Sequence, residues 1–189
     1  MSDLDPKVSS RVAAPSPEDL DERTAKLLAK LPSRPDGPLN LMAVLIHNPD
    51  LLRGWGRFTG LLFPGRLPAR ERELLILRTA WNVQSSYEWG NHVELAREAG
   101  MTDDELARLT SKETGPDWPE DDRLLVGAAD QLHHDGELSE EAWRELTSRF
   151  SVAGAIEIIF VVGVYHVVRS LVGSLGVADE PGKPALGQL

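Results

Sequence analysis

The run from 152 to 175 is the most apolar part of the chain, and it constrains the fold more than any other segment. It is too long for a strand. Glu157, His166 and Arg169 interrupt it, and each would be costly in lipid, so it reads as a buried helix rather than a membrane span. The part from 161 to 168 is the best strand candidate, but the apolar pattern continues well past strand length. A helix that is apolar on nearly every face needs neighbours around it. It is expected at the centre of a helical domain or at a subunit interface. No segment shows a β-branched alternation bounded by turns. The expected fold class is therefore all-α.

With 189 residues, the chain suits one domain with a substantial core. The expected division is a flexible N-terminal tail over 1–15, a single helical domain over 16–178, and a flexible Pro/Gly-rich tail over 179–189. Ser16-Pro17-Glu18-Asp19 reads as a helix start running to about 30. Pro32, Pro35, Gly37 and Pro38 then break the chain before a helix over 39–47. Asn48-Pro49 opens another, carrying Leu51, Leu52, Trp55, Phe58, Leu61 and Leu62. Helices follow over 68–84 and 87–99, separated by Ser85 and Ser86, the second ended by Gly100. Thr102-Asp103-Asp104-Glu105 is a capping box for a short helix to about 109. After a loop over 111–117, helices are expected over 118–134, 139–150 and 152–175.

The formal net charge of −10, without a compensating basic stripe, argues against nucleic-acid binding. Cysteine is absent, which removes disulfides, thiolate metal sites and every sulfur-nucleophile mechanism. That absence fits a cytoplasmic protein, and the polar stretch from 1 to 17 lacks the apolar region of a secretory signal.

The polar residues that matter lie on two consecutive helices. Glu88 and His92 are four apart and share one face, which continues through the apolar Leu95 and Ala99. A polar pair at the start of a core-facing stripe must find a partner or a cavity. The preceding helix brings Arg70, Glu73 and Arg78. An antiparallel hairpin about Ser85 and Ser86 would carry Glu73 to His92. A carboxylate beside an imidazole selects its tautomer and leaves the other nitrogen free to pass a proton. Such acid–base work supplies typically ~10²–10⁴-fold in rate. The competing structural account is a helix–helix hydrogen bond that fixes register. Glu88 can likewise serve the helix dipole, and Ser85 can be a cap. His166, on the apolar last helix beside Tyr165, is a core or interface histidine or a site-lining one. Trp81 and Trp89 flank the polar group and are core material or pocket walls. His47, His133 and His134 sit at helix ends. No pair shows an established ligand motif, so no metal is expected.

Glu73, Ser85, Glu88 and His92 follow the spacing of the alkyl hydroperoxidase D-like signature, E-x₁₁-C-x-x-C-x-x-x-H, with Ser85 and Glu88 at the two cysteine positions. The wider stretch Arg70-Glu71-Arg72-Glu73, Tyr87 through His92, Ala96 and Gly100 through Glu105 resembles the carboxymuconolactone decarboxylase branch of that family. The resemblance spans roughly residues 40–175 and is sharp between 70 and 109. It implies a multi-helical fold that assembles into trimers or hexamers, without a metal or organic cofactor. It also implies His92 as proton donor or acceptor, Glu73 as its partner, and Glu88 and Tyr87 as local contributors. Thiol peroxidase chemistry is excluded by the missing cysteines.

The implied substrate is a small carboxylated or lactone molecule, with Arg70 or Arg78 steadying its charge. Loss of CO₂ beside a conjugated carbonyl leaves an enolate that needs a hydrogen-bonding partner and then a proton. The same equipment serves an isomerase, a dehydratase or a lactone hydrolase. The alternative function is a catalytically silent oligomeric binding or scaffold protein of the same fold. A cavity at the Glu73–His92 junction favours the enzyme, whereas packed side chains there favour the scaffold.

Overall fold

The computed structural model describes residues 11–35, 37–111 and 118–189. Residues 1–10 of the expected tail over 1–15 and residues 112–117 of the expected loop over 111–117 lie outside the described residues. Among the described residues, eight α-helices carry the fold: α1 (Glu22–Leu28), α2 (Asn40–Leu45), α3 (Pro49–Thr59), α4 (Ala69–Asn82), α5 (Ser86–Glu98), α6 (Asp103–Arg108), α7 (Glu120–His134) and α8 (Glu140–Leu175).

Local chemistry accounts for most of the helix ends. Asn48 caps α3 by accepting from Leu51 N at 3.1 Å, with Pro49 in the first position. Thr102 and Glu105 form the reciprocal capping box of α6. Gly100, at φ 96°, ends α5 in a conformation that favours glycine. The α4–α5 turn passes through Gln84 in the left-handed region, and Ser85 then caps α5 by accepting from Glu88 N at 3.4 Å.

Three expectations need correction. The helix expected from residue 16 begins only at Glu22, because Asp21 is the cap, accepting from Thr24 N at 2.7 Å. Pro17–Asp19 forms a single 3-10 turn ahead of it. The proline-rich break holds a minimal antiparallel ribbon, β1 (Ser33–Arg34) with β2 (Gly37–Pro38), too short to carry a periodic signal. The two helices expected on either side of 151 are one long α8 with a break at Ser151 (φ 66°, ψ 166°). Ser151 Oγ accepts from Gly154 N at 3.3 Å and so caps the second half.

Helix α4 is the hub, packed against α5, α7 and α8. Its Leu74, Leu75, Ile76 and Leu77 are all buried, so no face of this helix is left to solvent along that turn. On α8 the inward face is Ile158, Val161, Val162, Tyr165, Val168 and Val172. The opposite face, with Val152, Ile156, Ile159, Phe160 and Val167, is uncovered. By length and composition α8 could cross a membrane. It is instead tied to the α3–α4 connection, where Glu157 accepts from Arg66 N at 2.7 Å and Leu67 N at 3.1 Å.

The segment after Asp179, expected as a mobile tail, packs on the body. Glu180 is buried and accepts from Arg34, the Asn40 amide and the Tyr87 hydroxyl. Trp89 Nε1 donates to the Gln188 carbonyl at 2.8 Å. Residues 11–15, assigned to the other tail, also touch the body: Arg11 N donates to the Leu175 carbonyl.

Candidate active site

The α4–α5 hairpin places Glu73 against His92, with Glu73 Oε2 2.7 Å from His92 Nδ1. From α8, the Tyr165 hydroxyl lies 3.0 Å from His92 Nε2, its ring edge-on to the imidazole. Glu88 Oε2 lies 3.6 Å from the same nitrogen, one turn earlier on α5. All four side chains are buried: Glu73 is 2% exposed, Glu88 4%, His92 7% and Tyr165 8%. Arg72 places its guanidinium 3.4 Å from the second Glu73 oxygen and donates to the Phe63 carbonyl at 2.9 Å.

The partners assign the imidazole's protons. A carboxylate at Nδ1 requires an N–H there, so Nε2 of the neutral ring carries the lone pair and accepts from Tyr165. Burial, then the charges of Glu88 and Glu73, push the Tyr165 phenol well above its ordinary value, so it remains a donor. Burial raises Glu88 to about 7 despite the opposing influence of His92. Near neutral pH this carboxyl therefore exists in both forms.

These groups open onto a cavity of about 640 Å³. His92, Glu88, Tyr165, Arg72, Tyr87 and Asn91 are among its polar residues, and Leu41, Met42, Trp55, Phe63, Ile76 and Val164 are among its apolar ones. Glu73 does not line it and stands behind the imidazole. A second hollow of about 910 Å³, between α1 and α3, is lined mainly by charged side chains including Arg23, Lys26, Arg53 and Arg57. None of the site residues reaches it.

The structure thus brings together Glu73, Glu88, His92 and Tyr87. The other residues expected to bind substrate are elsewhere. Arg70 is engaged by Asp122 at 2.7 Å and by Glu105, and ties α4 to α7 and α6. Arg78 donates to both Asp130 oxygens and to the carbonyls of Leu109 and Ser111. Trp81 and Trp89 pack edge-on at 6.4 Å, outside the cavity lining. Ser85 is a buried cap. His166 donates from Nδ1 to the Val162 carbonyl at 2.9 Å and meets His133 at 3.1 Å, away from His92.

Tyr165, Arg72 and Asn91 are the site residues that the sequence reading missed. Tyr165 was findable: it falls at helical spacing with Ile158, Val161, Val162 and Val168, whereas His166 is turned about 100° off that face. Among the described residues, no three His, Asp or Glu side chains converge as a metal-ligand set.

The carboxymuconolactone decarboxylase family profile matches residues 49–119, which hold Glu73, Glu88 and His92. Over this stretch the chain resembles the carboxymuconolactone decarboxylase family, and its fold is that of the alkyl hydroperoxidase D-like structures below. A peroxidase-related protein from Ralstonia eutropha, described as an alkylhydroperoxidase AhpD core, superposes with a TM-score of 0.78 at 18% identity, over 91% of this chain and 93% of that one. The debrominase Bmp8 without ligand gives a TM-score of 0.76 at 14% identity, over 93% and 95% of the two chains. A putative antioxidant defence protein AhpD from Agrobacterium tumefaciens gives 0.66 at 17% identity, over 72% and 94%. No curated protein sequence gives a significant match.

Proposed function

We propose that the protein is a cofactor-independent acid–base enzyme acting on a small, largely apolar molecule that carries a carboxylate or a lactone carbonyl. The observation that carries this reading is His92 itself. Its Nδ1 is fixed by Glu73 behind it, and its Nε2 lies beside Tyr165 and Glu88 at the wall of a cavity large enough for a small molecule. A cavity rather than packed side chains adjoins the Glu73–His92 pair, which favours the enzyme over the silent scaffold. A second structure of Bmp8 holds 2,3,4-tribromopyrrole, a small planar molecule, within a similar fold.

In the proposed chemistry, Nε2 takes a proton from the substrate or delivers one to it, and Glu73 stabilises the imidazolium. Tyr165, held neutral, donates toward the oxygen on which negative charge develops. Glu88, near its midpoint at neutral pH, is the group that exchanges a proton with Nε2. In decarboxylation the protonated Glu88 charges Nε2, the imidazolium delivers that proton to the carbon that has lost CO₂, and solvent reprotonates Glu88. In isomerisation, dehydration and lactone opening Nε2 first takes a proton from the substrate or from water and then returns it.

The test is turnover of a panel of unsaturated lactone carboxylates, followed by CO₂ release and ultraviolet absorbance. His92→Gln should lower kcat by at least about 100-fold with an unchanged circular dichroism spectrum. A folded His92→Gln protein that retained full turnover would remove the mechanism.

The same reading takes the protein as a soluble, cytoplasmic homo-oligomer, a trimer or hexamer, with no nucleic-acid or membrane partner. The uncovered apolar face of α8 supports self-association. Light scattering that gave a strict monomer would count against it.

A further inference from the structure

The C-terminal segment is anchored to α5 and to the α2 region at points on either side of Lys183. Upstream, the buried Glu180 carboxylate accepts from Arg34 Nη1 at 2.7 Å, Asn40 N at 2.6 Å and the Tyr87 hydroxyl at 2.7 Å. Downstream, Leu186 N donates to Ser86 Oγ at 3.2 Å and the Gln188 carbonyl accepts from Trp89. Between these anchors the segment passes very close to α5. A Cβ on Gly90 would lie 2.7 Å from the Pro184 carbonyl oxygen and 3.0 Å from Lys183 Cβ. Glycine is unfavourable in a helix interior, and here the close approach requires it.

This arrangement sets Lys183 in the cavity wall. Among the described residues, three cations line the cavity: Arg34, Arg72 and Lys183. Arg34 is committed to the buried Glu180. Arg72 is committed to Glu73 and to the Phe63 carbonyl, and lies over the Phe63 ring. Lys183 pairs only with Glu94 among carboxylates, and the two side chains are 29% and 60% exposed. A pair so open to solvent is weak, so Lys183 can exchange Glu94 for a ligand anion at little cost. The two arginines cannot leave their partners without stranding a buried group.

We infer that Lys183 is the specificity determinant that binds the anionic group of the substrate at the cavity rim, with the C-terminal segment as its mount. The fitting ligand class is a planar, conjugated carboxylate, its body against Met42, Phe63 and Val164. The inference rests on the reading of this cavity as a substrate site. Glu94 and Glu98 also line the rim and oppose an anion. Lys183 is nevertheless the one lining cation whose ion pair opens without stranding a buried group, so an anion entering the cavity meets it there.

Calorimetric titration of the full chain with trans-cinnamate, trans-cinnamamide and cinnamylamine tests the assignment. Cinnamate should bind about fivefold tighter than the amide at low salt. Lys183→Gln should remove that preference and leave the amide affinity unchanged. Glu94→Gln should enlarge it, and the gain should vanish in the double variant. Leu62→Trp, which fills the cavity, should weaken all binding; retained binding would place the ligand elsewhere and overturn the inference. A preference that survived Lys183→Gln, or an amine bound tighter than the carboxylate, would overturn the Lys183 assignment alone. If none of the three probes bound, the reading of the cavity as a site for such ligands would fall with it.

Discussion

Glu88 lies one turn before His92 on α5, 4% exposed, and burial raises its carboxyl from the ordinary 4.5 to about 7. In the unfolded chain the same group ionises near 4.5. Between these two values the folded state binds the proton that the unfolded state has released, so stability falls as pH rises through this window. The full span corresponds to on the order of 3 kcal/mol, lost above about pH 7. Glu88→Gln, which cannot ionise, should therefore melt at a higher temperature than the native protein at pH 8. At pH 4 the two should melt together. Thermal melts of both proteins at the two pH values check this, and equal melting at pH 8 would show that Glu88 is solvated in solution.

At the level of single elements, α4 is held by cations that the sequence reading had assigned to substrate. Arg78 spans Asp130 on α7 and the carbonyls of Leu109 and Ser111, all at 2.7–2.8 Å. Removing it leaves Asp130 with Asn82 as its remaining side-chain donor and takes the guanidinium from the two carbonyls. Arg78→Met should destabilise by about 3 kcal/mol, lowering Tm by roughly 6–12 °C. The cavity is not lined by Arg78, so ligand affinity of the folded variant should be unchanged.

Gly90→Ala tests a different contact. Alanine gains about 1 kcal/mol of helix propensity, but its Cβ would stand 2.7 Å from the Pro184 carbonyl oxygen. Expected are a lower Tm and faster hydrogen exchange over residues 183–189, with α5 itself still protected.

These elements also show what the chain makes legible. Glu73 and His92 are 19 residues apart across one tight turn, so helical spacing and a serine pair suffice to bring them together. The C-terminal segment is not legible in this way. It is fixed by one buried carboxylate and by backbone carbonyls, and neither leaves a periodic trace in the sequence. Arg70 and Arg78 were misread because a cation near a polar cluster looks alike whether its partner is a ligand or a neighbouring helix.

Across the whole molecule, α8 has two different faces. The inward one completes the core, and the outward one presents Val152, Ile156, Ile159, Phe160 and Val167 to solvent, with Phe160 edge-on to Phe58 at 5.5 Å. A contiguous apolar row of this kind is a self-association surface in the proposed oligomer. Phe160→Glu should shift the protein toward monomer in light scattering and leave its helical content unchanged.

The clamp on His92 also dictates an order of assembly. Its carboxylate half comes from a neighbouring helix and closes a short loop, while its phenol half arrives from 73 residues further along the chain. Closing the longer span carries the larger entropic cost. Without α8 the imidazole would keep its carboxylate partner and lose its phenol. Chemistry would then switch on only when the last long helix docks, so its local detachment would silence the protein well before the remaining helices come apart.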